Sequence, residues 1–222
     1  MSFQSSLAAM GASVALLMGS GAASATVVTF GTSSQLNINS YAEAGYNFTG
    51  IGGQLYLGAT GNCVFGGCAD NGTPWLAAFG SNLGAYTNTI VVKAADNSLF
   101  KLLSFDGAEA PFSILNPSNW AAAITVTGVL ADDSLVTQTF TLDQVNDGTG
   151  GVADFESYTT NLSGAFKELR FTGVTGRGSG FAIDNLNLVA ARSVPEPSSL
   201  ALAALAVFGL GAAGRRAAAS RR

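Results

Sequence analysis

The 222-residue sequence contains no histidine, only two cysteines and few charged residues, which make up 11% of the chain. Without histidine there can be no Ser-His-Asp triad, no imidazole base and no zinc site with histidine ligands. Residues 26–192 hold six Lys or Arg residues and thirteen Asp or Glu residues, a formal net charge of −7. Since nucleic-acid binding requires clustered cations that neutralise phosphates, this balance excludes nucleic acid as a partner.

The apolar residues are concentrated at the two ends of the chain, and the N-terminal set is typical of a secretion signal. An apolar run over 7–18 precedes small residues that end in Ala23, Ser24 and Ala25. This is the A-x-A pattern that signal peptidases cleave. The sequence therefore predicts a signal peptide at 1–25, export from the cytoplasm and cleavage after Ala25.

The two cysteines, Cys63 and Cys68, lie close together in a glycine-rich segment. An exported chain enters an oxidising compartment, so a disulfide between them is predicted. A metal site would need more soft ligands than this chain offers. Because the closed loop is short, the bridge would contribute about 2 kcal/mol or less, and its main effect would be to shape the loop.

The C-terminus combines a proline-containing box, an apolar segment and an arginine tail. The box consists of Val194, Pro195, Glu196 and Pro197. Its prolines keep the junction extended, a conformation that a processing enzyme can bind as a strand. The apolar segment, about 17 residues if 198–214 are counted, is at the short limit for a transmembrane helix. Arg215 and Arg216 would stay on the cytoplasmic side of the inner membrane by the positive-inside rule.

This order of box, span and arginines resembles the PEP-CTERM sorting signal, also known as an ice-binding-protein C-terminal motif, a label that says nothing about ice. The resemblance covers 193–222 only. It implies a membrane-embedded exosortase as partner, which cleaves near the box and releases or transfers the exported domain to the cell surface or extracellular matrix. By the same resemblance, Pro195, Glu196 and Pro197 are the recognition box, and Arg215 and Arg216 are the stop signal. A simple membrane anchor is the alternative.

Between the two ends, short segments rich in β-branched and aromatic residues alternate with Gly, Asn and Asp, which predicts strands. Asp132, Asp133 and Ser134 are predicted to turn a hairpin. No amphipathic helix is predicted, and 75–79 is expected to form at most a turn. A spacing of about ten residues per strand predicts one all-β domain over 26–192, an antiparallel jelly-roll-like β-sandwich. The predicted strands are 90–94, 99–105, 123–129, 135–142, 158–162, 166–173 and 181–189.

The segment 98–189 also resembles the jelly-roll domain that many PEP-CTERM proteins carry. Its closing strand is similar to one found in galactose-binding-like and carbohydrate-binding jelly rolls, where the Asp can belong to a structural calcium site. The resemblance therefore implies calcium as a possible ion, with Asp184, Asp106 and Glu43 as ligands, since hard cations prefer oxygen donors. No other cofactor is expected.

The closing strand also contains an irregular pattern. Under strict alternation Ile183, Leu186 and Leu188 cannot all face the same side of a sheet. A β-bulge at Asp184 and Asn185 would bring them to one side. The sequence therefore predicts a bulge there.

Two functions from different classes fit these observations. The first is a non-enzymatic surface or matrix protein that binds exopolysaccharide, with Trp75 or Trp120 stacking on sugar rings if they are exposed rather than part of the core. The alternative is a secreted polysaccharide hydrolase that uses a pair of carboxylates as acid and base. A hydrolase should present two acidic groups in one cleft, whereas a binding module should present a flat or shallow platform.

Overall fold

The computed structural model describes residues 25–31, 35–59, 69–79, 87–109, 120–145, 147–148, 152–175 and 179–191, and every regular element in these ranges is a β-strand. Within them no helix is long and apolar enough to cross a membrane. The strands are β1 Ala25–Val28, β2 Gln35–Ile38, β3 Ser40–Glu43, β4 Tyr46–Gly50, β5 Leu55–Gly58, β6 Trp75–Ala78, β7 Thr89–Ala94, β8 Phe100–Glu109, β9 Ala121–Leu130, β10 Leu135–Thr141, β11 Glu156–Thr159, β12 Phe166–Thr175 and β13 Phe181–Ala190.

The strands form two layers. Sheet I has the order β2-β5-β6-β13-β8-β11, with β1 beside β6 on the same edge of β13. Sheet II has the order β10-β9-β12-β7-β4-β3. All strand ladders are antiparallel, and the layers are joined where Phe166 pairs with Phe100. From β6 to β13 the chain passes repeatedly from one sheet to the other, so the predicted all-β, jelly-roll-like sandwich is confirmed.

The main core fills the space between the two sheets with large apolar side chains. Phe105 from sheet I meets Phe171 from sheet II edge to face, with ring centroids 5.2 Å apart. Both rings are fully buried, as are Phe48 and Phe100. Burial of one such side chain contributes about 1.5–3 kcal/mol, so this shared core holds the layers together.

The predicted bulge in β13 is present. The pairing of β13 with β8 shifts register after Asp184, and Asn185 has a φ of 48°. As a result Ile183, Leu186 and Leu188 all belong to the core between the sheets. The prediction that Asp184 and Asn185 break the alternation is confirmed.

The seven predicted strands correspond to β7 to β13, with boundaries that differ by a few residues. The predicted hairpin turn is also present, since Leu130 N donates to Ser134 O at 2.9 Å. The expectation of a turn at 75–79 is wrong, because Trp75–Ala78 is strand β6. All four of its residues are buried, so β6 lacks the alternation by which a half-exposed strand is recognised.

Several predictions fall on parts of the chain outside the described residues. These are the signal peptide up to residue 24, the cysteine pair Cys63 and Cys68, and the sorting segment 193–222. The disulfide and the short transmembrane helix therefore stay predictions.

Candidate functional site

Asp184 and Asp106 lie side by side on the outer face of sheet I, the face turned away from the main core. They are opposite each other in the register of β13 and β8. The same face carries a second, smaller apolar cluster that includes Trp75, Ala108 and Ala182. The fold thus brings together two of the three residues predicted to bind calcium.

Asp184 is fully buried and accepts hydrogen bonds from three donors. Asn71 Nδ2 and Thr73 Oγ1 each donate to Oδ2 at 2.7 Å, and the backbone N–H of Asn185 donates to Oδ1 at 2.7 Å. Burial raises the pKa of Asp184, although the bonds from Thr73 and Asn71 act in the opposite direction. Because Asn71 and Thr73 precede β6 in the chain, this carboxylate fastens their segment to sheet I.

Asp106 links three strands of the same sheet. Its Oδ1 accepts from Ser157 Oγ of β11 at 2.6 Å, and its Oδ2 accepts from Asn185 Nδ2 of β13 at 2.7 Å. Both aspartates are therefore held by hydrogen-bond donors from the protein itself. This arrangement stabilises the sheet and the segments packed on it.

Glu43 lies elsewhere, on β3 at the edge of sheet II. Its carboxylate accepts from Thr29 N at 3.1 Å, from Gly31 N at 3.2 Å and from Tyr41 Oη at 2.5 Å. Glu43 thus ties the chain after β1 to β3. The predicted calcium set of Asp184, Asp106 and Glu43 needs correction, since the third residue belongs to a different sheet and a different hydrogen-bond network.

A different group of carboxylates meets where the chain passes from β10 to β11. Asp143, Asp147 and Asp154, which we call the acidic loop cluster, each place an oxygen within 4.8 Å of the others. Asp154 Oδ1 is shielded from solvent and has no hydrogen-bond partner. The sequence shows these aspartates only as loop residues. The fold brings Asp154 back to the other two by closing the loop, where Gly148 N donates to Val152 O at 2.9 Å.

Two glutamates extend this negative charge into the interior. Glu109 is 1% exposed, and its Oε1 accepts from Gln144 N at 2.6 Å. Burial raises the pKa of Glu109 to about 7, and the negative charges of Asp143 and Glu156 add to the shift. Burial also raises the pKa of Glu156, which accepts a hydrogen bond from Tyr158. No ion pair among the described residues reaches this acidic loop cluster, so its charges are left to repel one another.

The chemistry open to the acidic loop cluster is limited. Carboxylates gathered on one loop are the donor type that a hard cation such as calcium prefers, although acidic loops also occur without an ion. Hydrolysis of a glycoside would instead need an acid and a base or nucleophile on either side of the bound sugar. Glu109 is too buried to reach such a substrate, so this role would fall to Asp143, Asp147, Asp154 or Glu156, which are at least partly exposed.

The two tryptophans do not form a sugar platform. Trp75 is 1% exposed and Trp120 is 4% exposed. Trp75 packs against Tyr56, with ring centroids 5.3 Å apart, inside the smaller apolar cluster. Because a sugar ring must approach an aromatic face from solvent, the prediction that Trp75 or Trp120 stacks on a ligand is corrected: both are core residues.

Comparison with solved structures finds distant likenesses. Two are cleaved adhesin domains of Lys-gingipain. The K2 domain has a TM-score of 0.46 and 13% identity, and the match covers 76% of this chain and 98% of that domain. The K1 domain from Porphyromonas gingivalis W83 has a TM-score of 0.46 and 12% identity, and the match covers 76% of this chain and 99% of that domain. A third is a mutant of CBM29-2, a family 29 carbohydrate-binding module, complexed with mannohexaose, with TM-score 0.42 and 14% identity over 77% and 93%. Likenesses this weak support neither a shared ligand nor a shared function.

The sequence comparisons are more specific at the C-terminus. None of the curated proteins matches the chain. Residues 193–222 match the family model described as the PEP-CTERM protein-sorting motif, and this segment begins just after the last described residue of the sandwich, Ala191. The chain is therefore a β-sandwich protein that carries a C-terminal PEP-CTERM protein-sorting motif.

Proposed function

We propose that this protein is an exported, non-enzymatic component of the cell surface or extracellular matrix, sorted and cleaved by an exosortase, whose sandwich binds extracellular polysaccharide. The observation that carries the proposal is the sorting motif at 193–222. A sorting motif directly after a folded β-domain gives that domain a route out of the cell.

The ends of the sandwich are arranged in a way that suits this route. β1 pairs with β13 in antiparallel register, so that Ala25 lies opposite Val189. The predicted signal peptide ends at Ala25, and the sorting segment follows Ala191. Both membrane-directed segments therefore join the domain at the same place. A precursor inserted through both would be held to the membrane by one end, with the rest of the sandwich free to face outward.

In this proposal the sorting segment is a substrate. The exosortase binds the box formed by Pro195, Glu196 and Pro197. Two prolines that flank one residue disfavour a helix, so the box is presented to the enzyme as an extended ligand. Arg215 and Arg216 hold the cytoplasmic end in place during cleavage.

A polysaccharide hydrolase is the second candidate, and the acidic loop cluster is the observation that favours it. Burial raises the pKa of Asp154, and the neighbouring Asp147 raises it further, which is the environment of a general acid. Release of reducing sugar from a polysaccharide by wild-type protein, and its loss in Asp154→Asn, would establish this alternative and overturn the non-enzymatic proposal.

The sorting proposal is tested by intact mass of the protein produced in a host with its exosortase. The expected product has lost 1–25 and has been cleaved near Pro195. Glu196→Gln in the same host, and the wild-type protein in a strain that lacks the exosortase, should both retain the C-terminus. A wild-type chain that keeps 193–222 in the membrane in the presence of the exosortase would reduce the segment to a simple anchor.

A further inference from the structure

A cavity of about 300 Å³ lies at the end of the sandwich where β13 stops. Residues from both sheets line it, from β1 and β13 of sheet I and from β4, β7 and the turns beside them in sheet II. Alanines form much of its wall, and Asp96 is the one charged residue among its described lining residues. The lining includes Tyr46, Ala94, Ala95, Asp96, Ser98 and Ala190.

Asp96 gives this cavity a negative charge. Ser98 N donates to Asp96 Oδ1 at 2.9 Å, and the hydrogen bonds from Ser98 lower the pKa of Asp96, so the carboxyl is ionised at neutral pH. Burial raises the pKa of Tyr46, and the charge of Asp96 raises it further. None of the ion pairs between described residues includes Asp96, and the nearby Lys93 is bonded to Glu168. The cavity therefore offers a carboxylate to a cation.

Strand β13 directs the chain toward this cavity. Leu188 points into the core, and Ala190, the next residue on the same side of the strand, lines the cavity. Ala190 pairs with Phe100. One step further, Ala191 N donates to Leu99 O at 2.7 Å. The antiparallel register therefore persists to the last described residue of the sandwich.

We infer that Arg192, the residue that follows Ala191, docks over this cavity and pairs with Asp96. One more step of the register would set Arg192 opposite Ser98, and alternation would turn its side chain to the side of Ala190. The guanidinium then lies against a carboxylate, and the aliphatic part of the side chain covers the alanines of the wall. The chain thus supplies the occupant itself, with the charge that the cavity lacks.

Other cations are less well placed. Lys101 is turned outward, because its neighbours in β8 point into the core. The competitor is the α-ammonium of Thr26, which cleavage of the predicted signal peptide would create, since Thr26 also lines the cavity. Thr26 pairs with Leu188, which lies about 6.8 Å back along β13 from Ala190. Arg192 is in addition present both before and after that cleavage.

This docking goes beyond the proposed function and does not depend on the exosortase. Because Arg192 precedes the box, a cut near Pro195 leaves it on the sandwich. The contact holds the start of the sorting segment against the domain in the precursor and covers the cavity in the released domain. The box then begins three residues from a fixed position, within about 10 Å of it.

The experiment measures the rate at which trypsin cuts the bond between Arg192 and Ser193. The protein is produced in a strain that lacks the exosortase, so that the sorting segment is kept, and is extracted in a mild detergent. A synthetic peptide of residues 188–197 in the same detergent gives the rate for an undocked bond. Cutting of a docked bond requires local release, so its rate reports the released fraction.

The test variant is Asp96→Asn, which removes the charge and keeps an oxygen that can accept from Ser98 N. The control variant is Asp132→Asn. Asp132 is an exposed carboxylate in a similar turn, where Ser134 N donates to its Oδ1 at 3.1 Å. Both substitutions leave the residues around the measured bond unchanged. Circular dichroism verifies that both variants are folded.

We expect the wild-type bond to be cut about tenfold more slowly than the peptide, Asp96→Asn to be cut about three- to tenfold faster than the wild-type protein, and Asp132→Asn to match it. Equal rates in the two variants would overturn the pairing with Asp96. A wild-type bond cut as fast as the peptide would overturn the docking.

The competing cation is tested on the same proteins by labelling the α-amine of Thr26 across a range of pH. A pKa of this ammonium that falls in Asp96→Asn, together with an unchanged rate of cutting after Arg192, would assign the cavity to the N-terminus and overturn the inference. Because no exosortase is present, failure of the docking would leave the sorting proposal untouched.

Discussion

The substitution Glu109→Gln should change how the stability of the sandwich depends on pH. The pKa of Glu109 rises from an ordinary value of 4.5 to about 7 because the side chain is buried. The folded protein therefore holds this proton more tightly than the unfolded chain does. The contribution of the protonated Glu109 to the stability of the fold is fully present below about pH 4.5 and is lost as the pH rises to about 7. At about 1.4 kcal/mol per pKa unit, the loss amounts to about 3 kcal/mol.

A glutamine resembles the protonated carboxyl, since it is neutral and its oxygen can still accept from Gln144 N. The variant should match the wild-type protein near pH 4 and exceed its free energy of unfolding by about 3 kcal/mol at pH 8. Urea denaturation in the presence of a chelator, followed by the fluorescence of Trp75 and Trp120, measures both values. Both indoles are buried, so unfolding exposes them to water and changes their emission.

Glu168→Gln is the matched control with the opposite sign. Burial raises the pKa of Glu168, but the hydrogen bonds and charges of Lys93 and Arg170 outweigh it, and the pKa is lowered overall. A lowered pKa stabilises the folded state above the unfolded pKa, so this variant should lose stability at pH 8 and little at low pH. If the free energy of unfolding changes equally between pH 4 and pH 8 in Glu109→Gln and in the wild-type protein, the raised pKa of Glu109 is refuted.

Three further predictions concern packing, the buried aspartate and the acidic loop cluster. Gly58→Ala would place a Cβ 2.3 Å from the indole of Trp75, so we expect a loss of about 1–3 kcal/mol in urea denaturation. In Gly31→Ala the new Cβ would lie 3.8 Å from Thr29 Oγ1, an ordinary contact, so this variant should be nearly as stable as the wild-type protein. An equal loss of stability in the two variants would contradict the prediction for Gly58. Asp184→Asn replaces one acceptor oxygen by an amide group that faces other hydrogen-bond donors, so the free energy of unfolding should fall by about 2–3 kcal/mol. An unchanged urea midpoint would exclude a stabilising role of this carboxylate. Asp147→Asn relieves repulsion and should raise the thermal midpoint by about 1–3 °C in a chelator. If calcium binds this cluster, calcium will stabilise the wild-type protein and not the variant in thermal scans, whereas an equal response would exclude a site that depends on Asp147.

The sequence predicted best where the pattern is local. Alternation and turn residues located β7 to β13, and the conflict among Ile183, Leu186 and Leu188 was enough to predict the bulge between them. The strands from β1 to β6 were not predicted. β5 and β6 are buried on both faces, and a strand without a solvent side shows no alternation that could distinguish it.

The sequence by itself determined the order of segments, the all-β class and the sorting motif, because each of these is encoded in residues that are neighbours along the chain. Only the tertiary structure decided which side chains meet. It buried Trp75 and Trp120, separated Glu43 from Asp184 and gathered the aspartates of the acidic loop cluster. Each of these outcomes depends on the register between strands that are far apart in sequence. That register is set by the shared core between the two sheets, and no local pattern contains it.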